Sequence, residues 1–261
     1  LKMLPAEKVE AAIEAACAAG QVEVLKDLLS DRECEGSGVG GASQTRAAAA
    51  RRVIAENFYP LFIAAKLGRA DTVELLLHVE GVDVNRIHPS TGAPSLFSAC
   101  EVGHEAVVRL LLDHDATDVN QADTEDGYTP LLIACQEGHV EAVRLLLAHE
   151  AIDANRATTN DGCTPLYAAC HRGHVEVVRL RLANSAKSIN QALLGDGCTP
   201  LFIACQGGHE EVVRLLLEIA ATDVNQATTD GCNFNPLFIA CQEGQEGVVR
   251  LLLTREEIEV N

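Results

Sequence analysis

The chain has 261 residues, 48% of them hydrophobic and 22% charged, which is the balance of a folded globular chain and not of a disordered one. Its 20 Lys and Arg stand against 38 Asp and Glu, a formal charge of −18. That charge speaks against non-specific nucleic-acid binding and against docking on an anionic membrane face. No apolar run approaches the roughly 20 residues that span a bilayer.

Taken in chain order, the sequence repeats itself. Leu61, Leu96, Leu131, Leu166, Leu201 and Leu237 head near-identical strings at steps of 35, 35, 35, 35 and 36. Asn85, Asn120, Asn155, Asn190, Asn225 and Asn261 end Asp-Val-Asn-like strings with the same steps. Two independent markers with one period exclude coincidence. A weaker copy, Ile13 to Gly20, overlays Leu61 to Gly68. The reading is seven repeats with an insertion between the first and second. Residues 1–35 form a first, capping-like repeat and 36–53 a Gly/Ala-rich basic insertion. Residues 54–261 hold repeats two to seven, starting near 54, 89, 124, 159, 194 and 230.

Within a repeat the elements follow from residue chemistry. Thr129 caps free N–H groups and Pro130 fits the first helical position. Gly138 closes that short helix. A second helix runs from about Val140 to His149, followed by a polar loop with an Asp161-Gly162 turn. Neither helix is long enough to stand alone, so neighbouring pairs must stack to bury their apolar faces. Tyr59-Pro60 and Pro94-Ser95 replace Thr-Pro in repeats two and three, which predicts weaker caps.

Gly127-Tyr128-Thr129-Pro130-Leu131, Gly138-His139, Val143 to Leu147 and Asp118-Val119-Asn120 together resemble the ankyrin repeat. The resemblance covers nearly all of the chain outside the insertion. It implies an all-α fold, an ankyrin-repeat α-solenoid of stacked helix-turn-helix units with projecting β-hairpin-like loops. It also implies that His104, His139, His174 and His209 tie helix starts to neighbouring loops. The chain departs from the family where Phe62, Phe97, Leu132, Tyr167, Phe202 and Phe238 replace the His of Thr-Pro-Leu-His, and in a period of 35 in place of 33.

Ten cysteines invite a disulfide reading, but six of them share one repeat position: Cys17, Cys100, Cys135, Cys170, Cys205 and Cys241, with Ala65 in repeat two. Cys alternating with Ala marks a small buried site. Stacked helices stand ~8–10 Å apart, too far for a ladder of bridges. Cys163, Cys198 and Cys232 lie beside the Asp-Gly turns and are expected to be the exposed, reactive thiols, with Cys34 near the insertion. Free thiols and the lack of any Asn-x-Ser/Thr sequon favour an intracellular location, cytoplasmic or nuclear. Cys170-His171-x-x-His174 does not offer four converging ligands, so no metal is expected. No cofactor loop and no nucleophile–base constellation stands out, so the chain reads as a non-enzyme. Arg181 breaks the Leu-Leu-Leu run of the second helices, and burying its charge unpaired would be costly.

From Gly36 to Ala55 there is no acidic residue, and Arg46, Arg51 and Arg52 give +3, leaving −21 on the rest. Gly36 to Ser43 reads as a linker and Gln44 to Ile54 as a short helix. The expected function is a non-catalytic protein–protein interaction scaffold. The resemblance implies a concave binding face made of loop tips and first helices. Carried over by position, its residues are Phe58, Lys66, Tyr128, Gln136, Glu137, Cys163, His171, Arg172, Cys198, Gln206, Phe234, Gln242 and Glu243. The expected partner is a protein with a basic surface, and the chain itself is expected to be a monomer. A second reading is the regulatory or targeting ankyrin region of a larger enzyme, channel or signalling protein; a chain opening on Leu1 suits it. A third takes Leu112 to Asn120 as a match to asparagine-hydroxylation sites of ankyrin proteins.

Overall fold

A computed structural model describes residues 6–29, 48, 50, 51 and 59–259. The basic insertion and Phe58 therefore lie almost wholly outside the described residues, which include only 48, 50 and 51 of it, all helical. The chain forms two compact units, residues 1–121 and 122–261. The bounded helices pair off in chain order, and no strand occurs among the described residues.

The N-terminal unit holds α1 (Ala6–Ala19), α2 (Val22–Leu29), α3 (Pro60–Lys66), α4 (Ala70–Leu77), α5 (Ser95–Val102) and α6 (Glu105–Leu112). The first helices of each pair form one row, α1 against α3 against α5; the second helices form another, α2 against α4 against α6. The insertion thus leaves stacking intact, because α3 packs directly on α1.

The C-terminal unit repeats this arrangement with α7 (Pro130–Glu137), α8 (Val140–Ala148), α9 (Pro165–Arg172), α10 (Val175–Asn184), α11 (Pro200–Gln206), α12 (Glu210–Leu217), α13 (Pro236–Gln242) and α14 (Glu246–Leu252). Here α7, α9, α11 and α13 form one row and α8, α10, α12 and α14 the other.

The ends of these helices are where the sequence predicts them. Thr129, Thr164 and Thr199 accept from the backbone N–H three residues on, and Asn235 does the same for Phe238. Tyr59 and Pro94 offer no side-chain cap, so α3 and α5 start without one. Gly138 (φ 78°) and Gly173 (φ 71°) end α7 and α9 in the left-handed region.

The core is small-residue and aliphatic. Ala64, Ala65, Ala99 and Cys100 in the first unit, and Ala134, Cys135, Ala169, Cys170, Ala204 and Cys205 in the second, are completely buried between first helices. Second helices bury Leu76, Leu111, Leu146, Leu216 and Leu252 at one shared position. Arg181 holds that same position in α10 and is equally inaccessible. Cys241 corrects the sequence expectation. It shares the repeat position of the buried thiols, yet it is exposed, on α13, the last of the row of first helices among the described residues.

Candidate protein-binding surface

Between second helix and next first helix the chain projects as a finger. A backbone bond crosses the neck of each described finger: His88 N–H to Ala93 O (3.0 Å), Asp123 to Tyr128 (2.9 Å), Thr158 to Cys163 (2.9 Å), Leu193 to Cys198 (3.0 Å) and Thr228 to Phe234 (2.9 Å). In the C-terminal unit neighbouring fingers also join, Leu194 N–H donating to Asp161 O (2.7 Å) and Thr229 N–H to Asp196 O (2.8 Å). The expected hairpin-like loops exist as this sparse bonding.

Side chains hold the finger necks. Asp123 accepts from the backbone of Asp126, Gly127 and Tyr128. The hydroxyls of Thr158 and Thr228 accept from Cys163 N–H (2.8 Å) and Phe234 N–H (3.0 Å). This bonding pulls the residue after the turn inward. Cys163 and Cys198 are buried, against the expectation that both are exposed tip residues. Burial, then Asp161, pushes the Cys163 thiol up to about 12. Burial and Asp196 do the same to Cys198, also about 12. Of the three turn thiols only Cys232 is exposed, and the Asp230 carboxylate raises its pKa as well.

The remaining expected surface residues separate by unit. In the N-terminal unit Lys66 is exposed at the end of α3. In the C-terminal unit Glu137, His171, Arg172, Gln206, Gln242 and Glu243 are exposed, and Tyr128, Gln136 and Phe234 are half-buried. His171 and Cys170 part company, one exposed and one fully buried, so they do not form one site.

The Gly-His residues have a more specific role than the one the resemblance implied. His174 Nε2 bonds Gln136 O (2.9 Å), and His209 Nε2 bonds His171 O (3.1 Å). His104 Nε2 bonds Lys66 O (3.1 Å) in the N-terminal unit. Each ring sits at the start of a second helix and satisfies a last-turn carbonyl of the preceding pair's first helix. Arg69 to Ala18 O (3.1 Å) and Gln245 to Gln206 O (3.3 Å) make the same link with different chemistry.

Two surface features went unread in the sequence. Phe238 is 46% exposed and stacks on Phe234 at 4.2 Å between ring centroids. His88 lies flat against Phe62 at 4.3 Å and edge-on to Tyr59 at 4.9 Å. Their only sequence signal was positional: His88 stands where later repeats have Asp123, Thr158 and Thr228.

The paired arginines of the second helices are surface ion pairs. Arg144–Glu141 and Arg214–Glu211 are both at 3.2 Å, Arg250–Glu246 at 3.3 Å and Arg179–Glu176 at 3.5 Å, all solvent-exposed. Such pairs contribute only ~0.2–1 kcal/mol each. No helix among the described residues is long and apolar enough to cross a membrane.

The chain matches the family model described as ankyrin repeats in three copies, over residues 12–123, 116–192 and 180–261. Comparison with curated proteins gives no match. The helix pairs, the Thr-Pro starts, the left-handed glycine ends and the bonded fingers agree with that match in both units. On this evidence the chain belongs to the ankyrin repeat family.

Proposed function

We propose that the chain is a non-catalytic protein-interaction scaffold whose partner binds finger tips and the exposed ends of first helices. Ankyrin repeats generally mediate protein–protein interactions. One observation carries the reading. Framework positions are buried and nearly invariant from repeat to repeat, whereas one solvent-facing position reads Lys66, Glu101, Gln136, His171, Gln206 and Gln242. A surface varied on a constant frame is what selective binding needs.

In the C-terminal unit the finger tips carry Asp126, Asp161, Asp196 and Asp230. A partner segment with a basic surface complements them. The proposed face there comprises Tyr128, Gln136, Glu137, His171, Arg172, Gln206, Phe234, Gln242 and Glu243, without the buried Cys163 and Cys198. We place its work inside the cell, as a monomer.

Affinity capture with the wild type, a Tyr128→Ala/Phe234→Ala/Gln206→Ala variant and an Arg144→Ala/Arg214→Ala variant tests this. Partners recovered by the wild type should be lost with the first variant and kept with the second, whose changes lie on second helices. Equal recovery with all three overturns the assigned face.

A further inference from the structure

In a chain of net charge −18, the N-terminal unit gathers cations around aromatic rings. Lys66 Nζ lies 5.9 Å from the Phe62 ring centroid, and the Arg86 guanidinium lies 5.9 Å from that of Tyr59. His88 stacks between the two rings, joining them into one cluster. Its Nδ1 is held by Ser90 Oγ at 3.1 Å. Burial and the nearby Lys66 lower the His88 pKa, which favours the neutral imidazole in this stack.

The cluster contrasts with Arg144, Arg179, Arg214 and Arg250 on the second helices of the C-terminal unit, each of which sits beside a glutamate. Neither Lys66 nor Arg86 forms an ion pair among the described residues. Glu101, which follows Lys66 along the row, already has a partner. Two cations braced on ring faces keep their orientation with no carboxylate in ion-pair contact.

Directly after Lys66 in the chain, Leu67 is 46% exposed, and Val102, at the equivalent repeat position, is 43% exposed; the two lie at the C-terminal ends of the packed helices α3 and α5. The same position in the C-terminal unit reads Glu137, Arg172, Gly207 and Glu243. Among the described residues, exposed aliphatic side chains and ring-braced cations thus occur together in the N-terminal unit.

We propose that Lys66, Arg86, Leu67 and Val102 form a docking surface for a partner peptide segment that carries carboxylates beside an aliphatic side chain. The proposal rests on the scaffold reading and adds the chemistry of one partner segment. The carboxylate meets Lys66 and Arg86, and the aliphatic side chain covers Leu67 and Val102. Charge complementarity selects this occupant: a basic segment would bring like charge to two unpaired cations.

The test uses the whole chain and a phage-displayed random 12-residue peptide library. Enriched peptides should include a class that combines Asp or Glu with neighbouring Leu, Ile or Val. Their affinity should fall about tenfold or more with Lys66→Ala/Arg86→Ala, a loss usual for central interface residues. It should be unchanged with Arg144→Ala/Arg214→Ala, and Lys66→Glu/Arg86→Glu should turn the selection toward basic peptides. Thermal melts confirm that each variant is folded, and Lys66→Ala alone serves if the double variant is not. A library that gives only basic peptides, or acidic ones indifferent to Lys66 and Arg86, overturns the inference and leaves the scaffold reading standing. A library that yields no binder also overturns it, and the affinity capture then judges the scaffold reading separately.

Discussion

Arg181 donates from Nη2 to the side-chain oxygen of Asn155, 3.2 Å away, and to Ala154 O at 2.7 Å. Elsewhere this asparagine joins its own loop to the next. Asn190 bonds Ala221 O and Asp223 N–H (2.6 and 2.8 Å), and Asn225 bonds Glu257 O and Glu259 N–H (2.6 and 2.9 Å). In the N-terminal unit Asn85 bonds Ala116 O and Asp118 N–H in the same way. At Asn155 the oxygen serves a buried guanidinium instead.

That guanidinium is poorly served in return. Its Nε and Nη1 are buried without hydrogen-bond partners, and burial lowers its pKa. Leucine holds the position in Leu76, Leu111, Leu146, Leu216 and Leu252. Replacing a buried charge by a fitting apolar side chain often stabilises by ~1–4 kcal/mol. Arg181→Leu, with Arg181→Met as the better volume match, should raise the thermal midpoint by several degrees. An unchanged or lower midpoint in both variants removes the argument.

A methyl group on Gly173 would meet the His209 ring at 2.5 Å, and the residue already sits at φ 71°. Gly173→Ala therefore combines backbone strain with loss of the His209–His171 link. Strain of this kind costs ~1–3 kcal/mol. Urea unfolding should show that loss, whereas Gly195→Ala, which meets nothing within 4 Å, should be near neutral.

Asn190→Ala should destabilise by about 0.5–1.5 kcal/mol, since it removes the bonds to Ala221 O and Asp223 N–H that join two loops at the surface. Asn190→Asp keeps the acceptor and loses only the donor, so its urea midpoint should fall between wild type and Ala. Equal midpoints for Ala and Asp would assign the whole effect to the donor.

Buried thiols make the protein sensitive to alkali. Burial pushes Cys135 from 9.0 to about 12, and Cys170 is raised further in the same direction. A folded pKa above the unfolded one means full stability below about pH 9, lost progressively as pH rises toward 12. The thermal midpoint of Cys135→Ala/Cys170→Ala should fall less steeply between pH 9 and 11 than that of the wild type. Ala65 shows that alanine fits this position. Parallel slopes would remove the thiols as the cause. In native thiol titration at pH 7.5, Cys232 and Cys241 should react ahead of the other described cysteines.

The frame was legible because it depends on local rules repeated many times. Thr129, Pro130 and Gly138 state helix ends without reference to anything distant, and the 35-residue step supplies the stacking partner. The misreadings were all questions of tertiary cover. Cys241 looks identical in sequence to Cys205, yet Cys205 lies on α11 between two first helices, whereas Cys241 lies on α13, which packs on one among the described residues. Cys163 and Cys198 looked like tip residues, but a finger's closing bond turns the side chain inward. The His88–Phe62 stack joins residues 26 positions apart, beyond any local rule.

The step from Leu201 to Leu237 is 36 residues, one longer than its predecessors. The interval from Leu201 to Asn225 matches that from Leu237 to Asn261, so the added residue lies in the finger between Asn225 and Leu237. There Asn233 takes a left-handed turn (φ 53°), and Thr228 still closes on Phe234 at 2.9 Å. The asparagine links act as a ruler between loops: length is fixed on one side of them and free on the other. Fingers are therefore where this chain can accept inserted sequence, and where a library of longer loops could be grafted without disturbing the helices beneath.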